Sequence, residues 1–503
     1  MRMSHMNRVS KSPGERLFSP HTSGLIAPAF LFLAACATGG VYGPGPAAPP
    51  DTTAPLEART QIEAELHPMV EIAGEPLESL AERMARLGIA QASVAVYRDG
   101  ALDWAAAYGE KTDTETLFQA ASMSKVVAAT GIATLAKQRG VSLDDDITAD
   151  LEGIDLGALN PGGVPITLRG LLSHTNGATV RGFPGYPSDA DLPTNFEVVA
   201  GSERSNTPPV VIEADGVGKF SYSGGGFQLA QLWAEQVSGE NFATLMQRLV
   251  LKPVGMKRST FTQPLTVEFV AAGNIGPAYA GDGSLVPGGW HTYPEQAAAG
   301  LWTTPTDFGR FVMALISAAM GDAGADLDPE VVAEVIRPVA DKYGLGVGVE
   351  LKDGITVLRH AGGNEGYRCY FEAFLEPGDA IITMSGSPRG IGLSTDITRT
   401  AKRVYGWPVS APTVVERFPM DDEALAAFAG RYLLPDGERV VEVFAAAPNL
   451  SIRTPNGTRA TLVPIAADLF IDPDDGQEIR FAPGKDGRMT LVADDTILVR
   501  TAQ

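Results

Sequence analysis

Cysteine is almost missing from this 503-residue chain, which has only Cys36 and Cys369. Two thiols cannot build a disulfide framework or a cysteine-rich metal cluster. Histidine is scarce too, with six copies and no His-x-x-x-His pair, so no all-protein zinc site is expected. Positive charge is in deficit: 39 Lys+Arg face 60 Asp+Glu, for a formal net charge of −21. A nucleic-acid-binding face needs clustered Lys and Arg, and so does an electrostatic grip on anionic lipid. Gly-x-Ser-x-Gly, His-Glu-x-x-His and phosphate-loop patterns are also missing, so the chemistries they carry lack support. What is present is globular composition, with 44% hydrophobic and 20% charged residues. At roughly 100–200 residues per domain, two or three units are expected.

Arg2, Arg8, Lys11 and Arg16 form a basic leader to the apolar run Gly24–Ala35. That run is too short for a bilayer span of roughly 20 residues and fits the apolar part of an export signal. Leu33-Ala34-Ala35-Cys36 resembles the lipobox of bacterial lipoproteins, whose cysteine takes the lipid. The resemblance implies a signal peptide over 1–35 and lipidation of Cys36. With Ala37 rather than Asp next, it implies the periplasmic face of the outer membrane. The plainer alternative is an ordinary cleaved signal with a chance cysteine. Residues 36–57 are rich in Gly, Pro and small side chains and read as a flexible tether.

The folded body is expected over 58–410. Leu77, Leu80, Met84 and Leu87 have helical spacing. Ala92–Tyr97 and Ala101–Tyr108 read as a hairpin around Arg98-Asp99-Gly100. Helices are expected at 122–139, 226–237 and 242–250. Strands return at 344–351, 356–359, 367–375 and 380–385. Strands at both ends with helices between predict an α+β fold, in which one antiparallel sheet joins the first and last strands. Over 420–503, a short helix precedes about six short strands at roughly ten-residue spacing, which predicts a small antiparallel β domain, a meander or barrel.

Ser122-Met123-Ser124-Lys125 is a Ser-x-x-Lys at the start of a helix rich in Ala, Val, Ile and Leu. Lys125 lies one turn after Ser122 on the same face. Burial on an apolar helix, near its positive end, lowers a lysine pKa. A neutral amine can then take the hydroxyl proton. The bland reading makes Ser122 a helix cap and Lys125 a snorkelling surface residue.

Two further segments support the chemical reading. Tyr222-Ser223-Gly224 precedes a helix, and His360-Ala361-Gly362-Gly363 ends a strand. With Ser122-x-x-Lys125 they resemble, in order, the three motifs of the class C β-lactamase-related serine hydrolases. The phrases around Ala95–Gly100, Leu171–Gly177, Pro253–Met256 and Gly300–Thr304 extend the resemblance to roughly residues 75–405. It implies a β-lactamase/D,D-peptidase-like fold that works without metal or cofactor. Ser122 is then the acylated nucleophile, Lys125 its base and Tyr222 a proton relay. The balance between Lys125 and Tyr222 as principal base stays open. Backbone N–H groups of Ser122 and Gly363 are the implied oxyanion hole, with Gly362 beside them. His360 would line the groove, holding a substrate carboxylate or sharing a proton with Tyr222. His174 is expected to fasten a loop, Cys369 to be a buried small hydrophobe, and Trp290 and His291 to line the cleft or pack a loop.

The chain departs from the family at two places. Gly224 stands where an Asn would bond the substrate amide, and His360 stands where an ammonium would hold the β-lactam carboxylate. Esters or D-amino-acid peptides and amides therefore rank ahead of β-lactams as substrates. A β-lactamase, or a binding or sensing protein that acylates slowly, is the alternative. Small-molecule substrates and a membrane reached through Cys36 are the expected partners; nucleic acid is not one, and the oligomeric state is left open.

Overall fold

The computed structural model describes residues 54–501 apart from 456 and 458. The expected export signal over 1–35 and the expected lipidation site Cys36 lie outside the described residues. The chain divides into two units, one of residues 79–409 and one uniting residues 54–78 with those from 410 onward.

The larger unit is built on one six-stranded antiparallel sheet. Its order is Gly348–Lys352, Ile355–Asn364, Tyr367–Phe374, Asp379–Ser385, Ala92–Arg98, Ala101–Tyr108. Early and late strands of this unit meet inside the sheet, with Ala380 opposite Tyr97 and Ser385 opposite Ala92. Ala92–Tyr97 is buried along its whole length, as a strand covered on both faces must be. This is the α+β arrangement expected from the order of elements.

Two strand boundaries differ from the sequence reading. Gly344–Val347 does not extend the Gly348 strand. Its backbone is tied elsewhere, Leu345 N–H to Val335 O and Gly346 N–H to Leu172 O, and Gly346 sits at φ +73°. The second strand runs past Arg359 through Gly363 to Asn364, so the His360 motif lies within it. Its pairing with the Gly348 strand stops at Arg359, while pairing with the next strand continues to Asn364 opposite Tyr367.

Helices pack against this sheet. On the Pro305–Met320 helix, Gly309 lets the backbone lie against the Tyr97 ring, whose hydroxyl donates to Thr306 O at 2.7 Å. The Ser124–Arg139 helix is buried on nearly every side from Ser124 to Ala136, because Ala, Val, Ile and Leu occupy all its faces. It ends at Gly140 in the left-handed conformation. The Leu80–Leu87 helix is tied to Gly390–Tyr405 by a buried ion pair, Arg83 Nη2 to Asp396 Oδ2 at 2.5 Å, and Arg399 holds the other oxygen at 3.0 Å.

The second unit is a closed eight-stranded barrel. Two of its strands, Gly430–Leu433 and Thr496–Arg500, were not anticipated. They pair with each other, Tyr432 opposite Arg500, and close the barrel. Each is short and buries little of its length, so its alternation is weak. Tyr432, Leu450, Ile452, Phe470, Phe481 and Leu491 are among the side chains that fill the interior. At eight strands such filling is the geometric expectation. Residues 58–78, read as the start of the hydrolase body, group instead with the barrel. Val70–Ile72 pairs in parallel with Thr413–Val415, and Val70 packs on Val463 and Ile471. A helix, Ala54–Ala64, also begins inside the stretch read as tether, with Pro55 in its first turn, where proline is tolerated.

All five tryptophans belong to the larger unit, so their fluorescence reports its unfolding. Asp396→Ala leaves the Arg83 guanidinium buried without its carboxylate. The expected loss is about 3–5 kcal/mol, read as a lower denaturant midpoint in a fluorescence-detected unfolding curve.

Candidate active site

The turn that carries Ser122 is shaped by its neighbours. Ala121 takes the left-handed conformation at φ +47°, which is uncommon for a residue with a Cβ. Ala121–Met123 forms a single 3₁₀ turn that runs into the Ser124–Arg139 helix. Ala120 N–H donates to Leu301 O at 2.8 Å, and Leu301 N–H donates to Ser124 Oγ at 3.0 Å. The Gly300–Thr304 phrase thus braces the turn from outside. Ser122 is half-buried, and Lys125 is buried one turn later.

Lys125 Nζ donates to Ser122 Oγ at 3.1 Å and to Ala298 O at 2.7 Å. The rings of Tyr222 and Phe227 lie 5.1 and 5.5 Å from the amine. Burial holds the Lys125 pKa down to about 7. Glu295 precedes the short Gln296–Ala299 helix, whose Ala298 carbonyl accepts from the amine. Its carboxyl is fully buried with both oxygens unpartnered, and burial pushes its pKa up to about 8, so it is mostly neutral at pH 7. Nothing in the local sequence marks Glu295 as buried.

Tyr222 sits on the loop before the Gly224–Ser238 helix. Ser223 caps that helix, accepting from Gly226 N–H at 3.1 Å and donating to Thr179 O at 2.7 Å. The Tyr222 hydroxyl is buried with the Ser122 hydroxyl as its polar neighbour, though the two are not in good hydrogen-bond geometry. Burial raises its pKa, and the Ser122 hydroxyl works against that rise. His174 fastens the loop. It accepts Ser223 N–H on Nδ1 at 3.1 Å, accepts Ser221 N–H on its carbonyl at 2.8 Å, and lays its ring 4.3 Å from that of Tyr222. It does so at φ +62°, another left-handed residue with a side chain. Burial, then the Lys125 charge, depress its pKa, so Nε2 carries the single ring proton.

The third element arrives on the sheet. A Cβ at Gly362 would collide with Ala120 O and Cys369 Sγ, so only glycine lets this strand run against the Ser122 turn. Cys369 is buried as expected, and its thiol also donates to Ala120 O at 2.9 Å. Asn364 Nδ2 bridges to Gln119 Oε1 at 2.6 Å and Ala299 O at 3.1 Å. The strand end, the Ser122 turn and the Gln296–Ala299 helix are thereby joined.

His360 is buried 6.1 Å, ring to ring, from Tyr222. Its Nε2 partner is Tyr343 Oη at 2.8 Å, so Tyr222 does not share the proton at that nitrogen. Tyr343 was missed in the sequence; it lies seventeen residues upstream in a loop, with no motif to mark it. Burial, then Lys125, push the His360 pKa down to about 3. Gly224 is enclosed: a Cβ there would strike the Phe183 ring. Phe183 fills the direction in which the family's Asn would project. Trp290 stacks edge-on against Trp302 at 5.5 Å, and His291 donates from Nδ1 to Pro184 O at 3.0 Å while its carbonyl accepts from Gln119 at 2.7 Å.

Ser122, Tyr222 and His360 therefore gather around the buried Lys125 amine, and the strand that carries Gly362 and Gly363 lies against the Ser122 turn at Gly362. A family model described as Beta-lactamase matches residues 78–400. The chain belongs to that family. Penicillin-binding protein 4* of Bacillus subtilis (strain 168) is 21% identical over 407 residues, which cover 76% of this chain and 88% of that protein. The octameric penicillin-binding protein homologue from Pyrococcus abyssi superposes with a TM-score of 0.55 at 20% identity, covering 84% of this chain and 98% of the other. The D-amino acid amidase from Ochrobactrum anthropi SV3 gives 0.53 at 18% identity, covering 69% and 99%. At these identities the superpositions show a shared β-lactamase/transpeptidase-like fold.

If Lys125 is the base, acylation depends on its neutral form. The rate should rise with pH and level off above about 7. Lys125→Arg keeps a charge that cannot be shed, so it should lose on the order of a hundredfold or more, nearly as much as Lys125→Ala. Acylation rates against pH for the parent and both variants check this. Near-parental rates with Arg would assign Lys125 a purely electrostatic role.

Proposed function

We propose that this chain is a serine hydrolase that works through an acyl-enzyme on esters or on amides and peptides of D-amino acids. The observation that carries this reading is the buried Lys125 amine 3.1 Å from Ser122 Oγ, with a pKa of about 7. Lys125 takes the hydroxyl proton as Ser122 Oγ bonds to the substrate carbonyl carbon. The carbonyl oxygen gains the negative charge and is received by the N–H groups of Ser122 and Gly363. Collapse breaks the bond to the leaving group, which takes its proton from Lys125, directly or through Tyr222. Water then cleaves the Ser122 ester by the same steps, returning the proton to Ser122.

The substrate class is supported by what the recognition side has in place of the family pattern. Phe183 and Gly224 supply no side-chain amide, and His360 supplies no ammonium. Similarity to the D-amino acid amidase points the same way. A β-lactamase remains the second reading, favoured by the family itself. The Lys125–Ser122 contact argues against a protein that only binds.

Ser122→Ala should lower ester and D-amino-acid amide hydrolysis by at least about a thousandfold without changing the fold. Turnover by purified variant and parent, with mass spectrometry of the acylated peptide, checks it. Activity within about tenfold of the parent would refute the nucleophile assignment.

We also propose that the mature chain is held at the membrane through a lipid on Cys36, on the strength of the lipobox-like Leu33-Ala34-Ala35-Cys36. Cys36→Ser should move the protein from the membrane fraction to the soluble fraction. Unchanged fractionation would show that something else anchors it.

A further inference from the structure

His360 is held at both ring nitrogens by the protein. Nδ1 lies 2.6 Å from Ala361 O and Nε2 lies 2.8 Å from Tyr343 Oη. A carbonyl oxygen only accepts, so Nδ1 carries the proton and, in the neutral ring, Nε2 accepts from the phenol. Tyr343 is itself clamped. Its N–H donates to Ala340 O and its carbonyl accepts from Val339 N–H, both at 2.8 Å. Its ring lies 5.1 Å from His174 and 5.4 Å from Phe220. The charged group that acts on His360 is Lys125, which repels a second proton. His174, on the other side of Tyr343, is neutral for the same reasons of burial and charge. Lys125 cannot serve as counter-ion while it is needed without its proton.

We infer that His360, engaged by Tyr343 and Ala361, offers no positive charge to the substrate. This cleft then selects acyl donors whose leaving group carries no carboxylate, amides and simple esters ahead of peptides with a free C-terminus. Tyr343 is the positioning residue that sets this preference, because it occupies the one ring nitrogen that, once protonated from solvent, could otherwise bind a carboxylate. The chain's net charge of −21 adds a general bias against anions. The inference rests on the acyl-enzyme reading above and narrows its substrates.

The test uses two matched pairs with the purified full chain. One is N-acetyl-D-alanyl-D-alanine amide against the same dipeptide with a free carboxylate. The other is phenyl acetate against 3-carboxyphenyl acetate, so the result does not depend on amide cleavage. With the peptide pair read as release of N-acetyl-D-alanine, so that loss of ammonia from the terminal amide is not counted, the acyl group within each pair is constant and the leaving group differs in charge. The neutral member should be favoured at least about thirtyfold in kcat/KM, mostly through KM. Tyr343→Phe frees Nε2 and should shrink that ratio at least about fivefold, whereas a merely structural loss would lower both members alike. His360→Lys should shift the ratio the same way by restoring an ammonium.

Ratios near one in the parent, or a preference for the carboxylate, overturn the inference. The same holds if a carboxylate preference disappears in Arg181→Ala. Exposed Arg181, whose carbonyl accepts Gly224 N–H, would then be the counter-ion. Ser122 that acylates with ratios near one refutes this inference alone. Ser122 that is never acylated, by either pair or by a fluorophosphonate, refutes the acyl-enzyme reading and this inference with it.

Discussion

The desolvation of Lys125 is the constraint on which the rest of the site depends. An ammonium surrounded by Phe227, Tyr222 and a largely apolar helix loses its hydration without gaining a carboxylate. Its acceptors are an alcohol and a carbonyl, which stabilise the charge far less than an ion pair would. The groups nearby follow from this. The same burial acts on the Glu295 carboxyl and keeps that acid mostly neutral at pH 7. A proton on Lys125 disfavours one on His174 or His360, and by reciprocity a charged histidine would disfavour the ammonium. Burial acts on each group separately and is what lets all of them be neutral at once, while repulsion between like charges keeps any two of these bases from being protonated together.

Holding that amine against Ser122 requires backbone that the surrounding structure must enforce. Ala121 and His174, both left-handed with side chains, stand next to the serine turn and the tyrosine loop. Such residues cost on the order of 1–3 kcal/mol and persist only where their neighbours over-determine them. Ala120 is held by Leu301 and by the Cys369 thiol, and His174 by two backbone N–H groups of the loop it fastens. Gly362 is the complementary concession on the sheet, where the missing Cβ admits the turn. Strain and close approach therefore fall where three distant segments are brought together.

The arrangement around Ser122 was legible in the sequence because its signals are local. Ser122 and Lys125 share one helical turn, Tyr222 precedes a capped helix, and Gly362 and Gly363 are consecutive glycines in a strand. The fold was legible for a related reason: long buried strands such as Ala92–Tyr97 announce themselves by composition. What stayed hidden depends on tertiary contact. Tyr343 becomes significant only when its loop is folded over His360, Glu295 only when both its oxygens are found buried, and Phe183 only when its ring is seen filling the space beside Gly224. The barrel strands Gly430–Leu433 and Thr496–Arg500 escaped because each is short and defined by its partner. Residues 58–78 were assigned to the wrong unit because no periodicity reveals that Val70–Ile72 pairs with Thr413–Val415.

The same division separates how the site reacts from what it accepts. The reacting groups depend on burial and one short contact, and neither Gly224 nor His360 contributes to that contact. Recognition is where this chain departs from its family. At both positions a polar or charged arm is replaced by something closed: Phe183 packed against Gly224, and a histidine whose nitrogens are taken up by Tyr343 and Ala361. Losing an attractive group alone would make a cleft indiscriminate. Closing the space and sealing the polar atoms instead makes the cleft costly for any ligand that brings a charge needing a partner. Discrimination of that kind needs no contact to the favoured substrate, so the proposed nucleophile, Ser122, would work in a cleft that reads shape and neutrality.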